Sequence, residues 1–172
     1  ILSIVDVESI KKSGLRVMID PNNGAGCVAN KLLLDELNVT YTILNKEPNG
    51  RFAHNPEPLK TNLSQIINEM QSGDYDIGFV QDADADRLVI LDENGTFIGE
   101  DYSLAFCLDQ ILETEPAPDK KIVVNLSTSL VIEWLASKYN AEISYTKIGE
   151  SNVTQELKRL NAVAGGEGNG GV

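Results

Sequence analysis

The 172-residue chain carries 26 acidic and 14 basic side chains, a formal net charge of −12, with 42% hydrophobic residues. This acidity argues against non-specific nucleic-acid binding and against docking on an anionic membrane. The apolar share supports a packed core, and the length holds one good domain or two small ones. No apolar run approaches a membrane span. The N-terminus lacks the basic and apolar regions of a secretory signal, so the expected compartment is the cytoplasm. Cys27 and Cys107 lie far apart in apolar, helix-like contexts, which predicts two buried free thiols with no disulfide framework and no zinc spacing.

In chain order, residues 15–19 read as a strand, followed by the breaker-rich turn Asp20-Pro21-Asn22-Asn23-Gly24-Ala25-Gly26. Residues 27–37 place Val28, Leu32, Leu33 and Leu37 at helical spacing. Residues 39–44 alternate as a strand, and 46–60 form a long irregular loop with Pro48, Pro56 and Pro58. Thr61 is expected to cap a helix that uses Leu63, Ile66, Ile67 and Met70. Strands follow at 76–80, 88–91 and 96–98, the last two joined through Asn94-Gly95 as a tight hairpin turn. The order βαβαβ plus a hairpin implies a mostly parallel sheet between helices. The pattern restarts after Gly99-Glu100-Asp101, with helices at 102–112, 128–139 and 151–160 and strands at 121–126, 142–145 and 162–164. The fold class is therefore α/β: two tandem α/β domains, residues 1–98 and 99–172, each a mixed, mostly parallel sheet flanked by helices. The chain starts at Ile1 and stops at Val172 just after a glycine-rich loop, from which a piece of a longer protein is expected.

The richest motif is Asp82-Ala83-Asp84-Ala85-Asp86-Arg87, between two apolar runs. Three carboxylates on alternate residues, separated only by alanine, can converge on one point, and they repel unless a cation sits among them. A hard divalent ion such as Mg²⁺ suits all-oxygen ligands and keeps positions open for a phosphate. The bland reading is a solvated acidic turn. An alternative is a non-enzymatic Ca²⁺ module, since Asp82, Asp84, Asp86 and Glu93 fall at positions 1, 3, 5 and 12 of an EF-hand loop spanning 82–93. However, Arg87 stands where that loop needs glycine, and the flanks are strand-like. A nucleophilic aspartate is a further possibility that the run itself does not distinguish from a ligand.

Three other places carry chemistry. Gly165-Gly166-Glu167-Gly168-Asn169-Gly170-Gly171 contains a formal dinucleotide pattern from Gly166 to Gly171, but Glu167 puts a negative charge inside the supposed phosphate cradle. Presentation of Glu167 and Asn169 to a polyhydroxyl ligand and a mobile linker both remain open. The 20–26 turn could hold a phosphate at a helix N-terminus, though a cap and tight connection is favoured. His54, the sole histidine, is a weak candidate near an active site, and without it no Ser-His or Cys-His pair can be built.

Ile19 to Gly26, Pro56-Glu57-Pro58, Asp82 to Arg87 and Gly165 to Gly170 together resemble, in order and over nearly the whole chain, the middle of an α-D-phosphohexomutase. This is the phosphoglucomutase/phosphomannomutase family, whose phosphoglucosamine mutases are also similar. The resemblance implies the second and most of the third of four domains. It implies a Mg²⁺-dependent isomerase that moves a phosphoryl group between C1 and C6 of a hexose phosphate through a phosphoserine and a bisphosphorylated sugar. Asp82, Asp84 and Asp86 would hold Mg²⁺, Arg87 would serve catalysis by neutralising phosphate, and Glu167 would receive sugar hydroxyls. The implied partners are the hexose phosphate and the N- and C-terminal domains of its own chain. The family's serine loop and arginine-rich phosphate clamp are absent from these residues, so the piece is expected to be inactive alone. The sugar loop reads Glu167-Gly168-Asn169-Gly170 where Glu-x-Ser-Gly is common, and the 148–152 loop lacks a frequent basic residue.

Overall fold

The computed structural model describes residues 2–172. The chain divides into two compact units, Ile1–Ile98 and Gly99–Val172.

The first unit opens with α1 (Val7–Ser13), a helix that periodicity does not announce. It is made by its ends: the Asp6 carboxylate accepts from Ser9 N at 3.0 Å, and Gly14 closes the helix at φ 71°. Then come β1 (Arg16–Asp20), α2 (Gly26–Leu37), β2 (Thr40–Ile43), a 3-10 turn (Lys60–Asn62), α3 (Ser64–Ser72), β3 (Ile77–Gln81) and β4 (Leu88–Leu91). The sheet order is β2-β1-β3-β4, parallel except for the antiparallel β3–β4 pair. Strand β1 is central and buried on both faces. Met18 packs with Leu63, Ile66, Met70, Val80, Val89 and Leu91 on one side, and Val17 and Ile19 pack with Leu34 on the other.

Two local expectations for this unit are corrected. Thr61 is not a helix cap. It lies in the 3-10 turn, and α3 starts at Ser64 behind Leu63, which makes no capping bond. Leu63 is only 1% exposed, and its burial fixes where the helix begins. Residues 96–98 form no full strand, contributing one bridge, Leu91 to Phe97. Of Asn94-Gly95 only Gly95 has positive φ, at 71°. Asp92 holds this turn, its Oδ1 accepting from Asn94 N and Thr96 N.

The second unit runs α4 (Glu100–Thr114), β5 (Lys121–Asn125), α5 (Val131–Tyr139), β6 (Glu142–Thr146), α6 (Glu150–Leu160) and β7 (Ala164–Gly166). Its sheet, ordered β6-β5-β7, is wholly parallel. Leu104, Leu108 and Leu112 on one stripe of α4 pack with Ile122, Val124, Ile132 and Leu135. Facing the other way, Cys107 is exposed, against the expectation of two buried thiols; Cys27 is buried. Helix α5 begins three residues later than its apolar pattern, because Asn125 organises the preceding turn. Strand β7 is displaced to 164–166 because it must lie close beside β5. A Cβ on Gly165 would overlap the Val123 carbonyl oxygen.

In both units the chain steps from a central strand to one neighbour and returns on the other side. This creates a topological switch point at the carboxyl ends of β1 and β3, and of β5 and β7, where open α/β sheets leave a crevice. No helix among the described residues is long and apolar enough to cross a membrane.

Leu108 is fully buried at the centre of its cluster. Leu108→Ala is expected to lower the unfolding free energy by about 2–5 kcal/mol in urea titration; a loss under about 1 kcal/mol would contradict this packing.

Candidate functional site

The acidic loop leaves the carboxyl end of β3, at the first switch point. Asp82 is 2% exposed, whereas Asp84 and Asp86 are exposed. Each offers a carboxylate oxygen, and the three atoms lie within 4.8 Å of one another. The backbone brings this about with Ala85 at φ 66°, a left-handed conformation that a non-glycine residue holds only when its surroundings impose it. Arg87 closes the loop. Its backbone N–H donates to Asp82 Oδ1 at 3.1 Å, its Nε–H donates to Asp82 Oδ2 at 2.7 Å, and Nε lies 3.8 Å from Asp86 Oδ1. Burial pushes the Asp82 carboxyl up, but the Arg87 bonds outweigh it and hold it below the ordinary range. Asp86 is pushed up by burial and then by Asp82 and Asp84 beside it. Three carboxylates and one guanidinium leave two negative charges uncompensated, the charge of one divalent cation. The donor set is all oxygen, as a hard cation requires.

The loop rests on the β1–α2 turn. Ala25 N–H donates to the Ala83 carbonyl at 2.9 Å, and a Cβ on Gly24 would overlap that same oxygen. Asn30 Nδ2 donates to Gln81 Oε1 at 2.7 Å, just before the acidic residues. Asn22 and Asn23, both left-handed, pin the long loop 45–54 to this turn. Asn22 Oδ1 accepts from Ala53 N and His54 N, and Asn23 bonds Glu47 N and Arg51 O. Asp20, fully buried, accepts from Asn22 N at 2.8 Å and Asn45 Nδ2 at 2.8 Å, and pairs with His54 Nε2 at 3.3 Å. His54 thus serves this scaffold and is not among the converging carboxylates. None of the Asp20, Asn22, Asn23 and Asn45 contacts was foreseen; the left-handed bias of Asn-Asn-Gly was the available signal.

Glu93, the twelfth position of the EF-hand pattern, is not brought to the cluster. The loop is flanked by strands β3 and β4, and β4 carries Glu93 roughly 13 Å along the sheet to the opposite turn.

At the second switch point Glu167 is held from three loops. Its Oε1 accepts from Asn125 Nδ2 at 2.7 Å and from Gly149 N at 2.7 Å, and Oε2 accepts weakly from Asn169 Nδ2 at 3.4 Å. Residues 167–171 form a closed turn with a Glu167–Gly171 bridge and not a slack linker. A carboxylate occupies the donor at the start of α6, so the glycines offer no free cradle for a pyrophosphate there. Asn125 went unpredicted; the polar residue ending the apolar run Ile122-Val123-Val124 was its only trace.

Two family models cover the chain: phosphoglucomutase/phosphomannomutase, alpha/beta/alpha domain II, over residues 1–95, and domain III of the same family over residues 99–172. A phosphoglucomutase/phosphomannomutase of Thermococcus kodakarensis is 38% identical over 169 residues, 98% of this chain and 37% of that protein. A phosphoglucosamine/phosphogalactosamine mutase of Sulfurisphaera tokodaii is 34% identical over 172 residues, 99% of this chain and 38% of that protein. The crystal structure of a phosphoglucomutase/phosphomannomutase family protein from Burkholderia thailandensis superposes with a TM-score of 0.83 at 26% identity, covering 95% of this chain and 37% of that one. The chain thus spans little more than a third of the length of these relatives.

The Asp20 bond, with a lesser opposing effect of burial, raises the His54 pKa above its ordinary 6.5. The folded state then holds the proton more tightly than the unfolded chain. The stabilisation is complete below about pH 6.5 and is lost as pH rises through the higher folded value. Urea unfolding free energy should fall as pH rises above about 6.5, and His54→Gln should remove that part of the slope. An identical slope in the variant would refute the pairing.

Proposed function

The chain belongs to the phosphoglucomutase/phosphomannomutase family, and from that premise we propose that it is the central segment of a Mg²⁺-dependent phosphohexomutase. The full-length protein would be an isomerase that shifts a phosphoryl group between C1 and C6 of a hexose phosphate, through a phosphoserine and a bisphosphorylated sugar. The observation that supports this reading is the convergence of Asp82, Asp84 and Asp86 beside Arg87.

In this reading the three aspartates hold Mg²⁺, which when bound supplies the charge neutralisation that phosphoryl transfer depends on. Asp82 is oriented in advance by its two bonds from Arg87, while Asp84 and Asp86 face outward. The Arg87 Nη groups bond nothing else among the described residues and would meet the phosphate oxygens, for which a planar guanidinium is well suited. Glu167 and Asn169 would receive the sugar, a carboxylate and an amide matching ring hydroxyls. The phosphoserine and a further phosphate-binding element would come from outside residues 1–172, so this segment alone would not turn over substrate. The proposed partners are the hexose phosphate and the remaining domains of the same chain. No nucleic acid or membrane enters the scheme, and its place is the cytoplasm.

Calorimetric titration of Mg²⁺ tests the proposal. Asp84→Asn and Asp86→Asn should each weaken binding by about tenfold or more, and Asp84→Asn in the full-length protein should cut kcat by at least about 100-fold. Without metal the same Asp86→Asn change relieves like-charge crowding, so the melting temperature should hold or rise while binding falls. Equal Mg²⁺ binding by wild type and both variants would sink the assignment.

A further inference from the structure

From the contacts at the second switch point we infer that Asn125 is a positioning residue for the sugar-contacting carboxylate of Glu167, and that the resulting site takes a ring substituent that donates, a hydroxyl or an amine, in place of an anionic one. This rests on the proposal that Glu167 contacts the sugar. Asn125 ends β5 and is 1% exposed. Its amide has one possible orientation. Oδ1 accepts from Ser127 N at 3.0 Å, Ser127 Oγ at 2.9 Å and Thr128 Oγ1 at 2.9 Å. A backbone N–H only donates, so Ser127 fixes the oxygen end and turns the NH₂ toward Glu167. The Nδ2–H bond to Glu167 Oε1, 2.7 Å long, joins residues 42 positions apart. Gly149 N–H meets the same oxygen from the β6–α6 loop.

One oxygen of the carboxylate is thereby tied inward by two short bonds. The other, Oε2, has only the 3.4 Å contact from exposed Asn169 and is left for a ligand. Both donors to Oε1 are neutral, and no basic side chain pairs with Glu167 among the described residues. The carboxylate therefore has no ion-pair partner there. A fixed, uncompensated acceptor binds O–H or N–H donors and repels a carboxylate at the same ring position. A residue needed only for packing would not set its amide between three donors of the 127–128 turn and a carboxylate 42 positions away.

The test is steady-state kinetics of the full-length protein on a neutral and a 2-amino hexose phosphate, with Glu167→Gln as reference and melting temperatures throughout. Asn125→Asp places a second carboxylate against Oε1, and KM should rise roughly 10–100-fold with kcat within about twofold of wild type. The double change Asn125→Asp with Glu167→Gln re-forms a bond between the two positions. Its melting temperature should recover and its KM should match that of Glu167→Gln alone, a non-additivity that an independent structural role would not give. If Glu167→Gln raises KM and folded Asn125→Asp does not, the positioning role is refuted while the sugar contact stands. If Glu167→Gln itself leaves KM unchanged, the sugar-contact reading falls and this inference falls with it.

Discussion

Three carboxylates crowded on one short loop are the constraint from which the first unit follows. At an effective dielectric near 20, two unit charges about 4 Å apart repel by about 4 kcal/mol. The trio cannot persist on backbone preference alone, still less with Ala85 in a left-handed conformation. Arg87 offsets one charge and bonds the buried carboxylate through both its backbone and its side chain. The β1–α2 turn then clamps the Ala83 carbonyl, and its asparagines tie down the long loop behind it. A buried hydrogen-bonded network of this kind gives geometry more than stability.

The two units share one plan and use it with opposite charge logic. Each places its polar groups where the strand order reverses, at the carboxyl ends of parallel strands. In the first, carboxylates accumulate until only a cation balances them. In the second, a single carboxylate is held by neutral amides, Asn125 and the Gly149 backbone. The first arrangement suits the proposed divalent ion, and the second suits the proposed uncharged or cationic donors on a ring. On the proposed reading one backbone topology would serve two kinds of recognition through a handful of loop residues.

What could be read from the sequence was what depends on near neighbours. The apolar runs of β1 and β5, the leucine stripe of α4 and the alternating aspartates state their structure within a few residues. Features set by distant partners were hidden. Leu63 decides the start of α3 by entering a core built from β1, β3 and β4, so Thr61 loses the cap its side chain suggested. The glycines move β7 because they must lie against Val123. Asn22, Asn23, Asn45 and Asn125 look like turn formers, yet all bond groups at least 18 positions away. Spacing could also mislead. The EF-hand register put Glu93 in step with the aspartates, and extended β4 takes it out of reach.

The net charge of −12 adds a last consideration. A hexose phosphate, the proposed ligand, is itself an anion, and a surface this acidic repels it over about a Debye length, 8 Å at physiological salt. Binding at this loop would therefore need the local repulsion to be cancelled. Among the described residues Arg87 is the cation at the acidic loop, and Asp82 holds its Nε; its remaining donors are too few to offset three aspartates. In that proposal a divalent ion on those aspartates would cancel the two uncompensated negative charges and bring the loop to neutrality with Arg87 already counted, so that repulsion would no longer oppose contact between the Arg87 Nη groups and a phosphate. In the proposed scheme the acidity of the loop, neutralised by a bound divalent ion, would no longer oppose an anionic substrate.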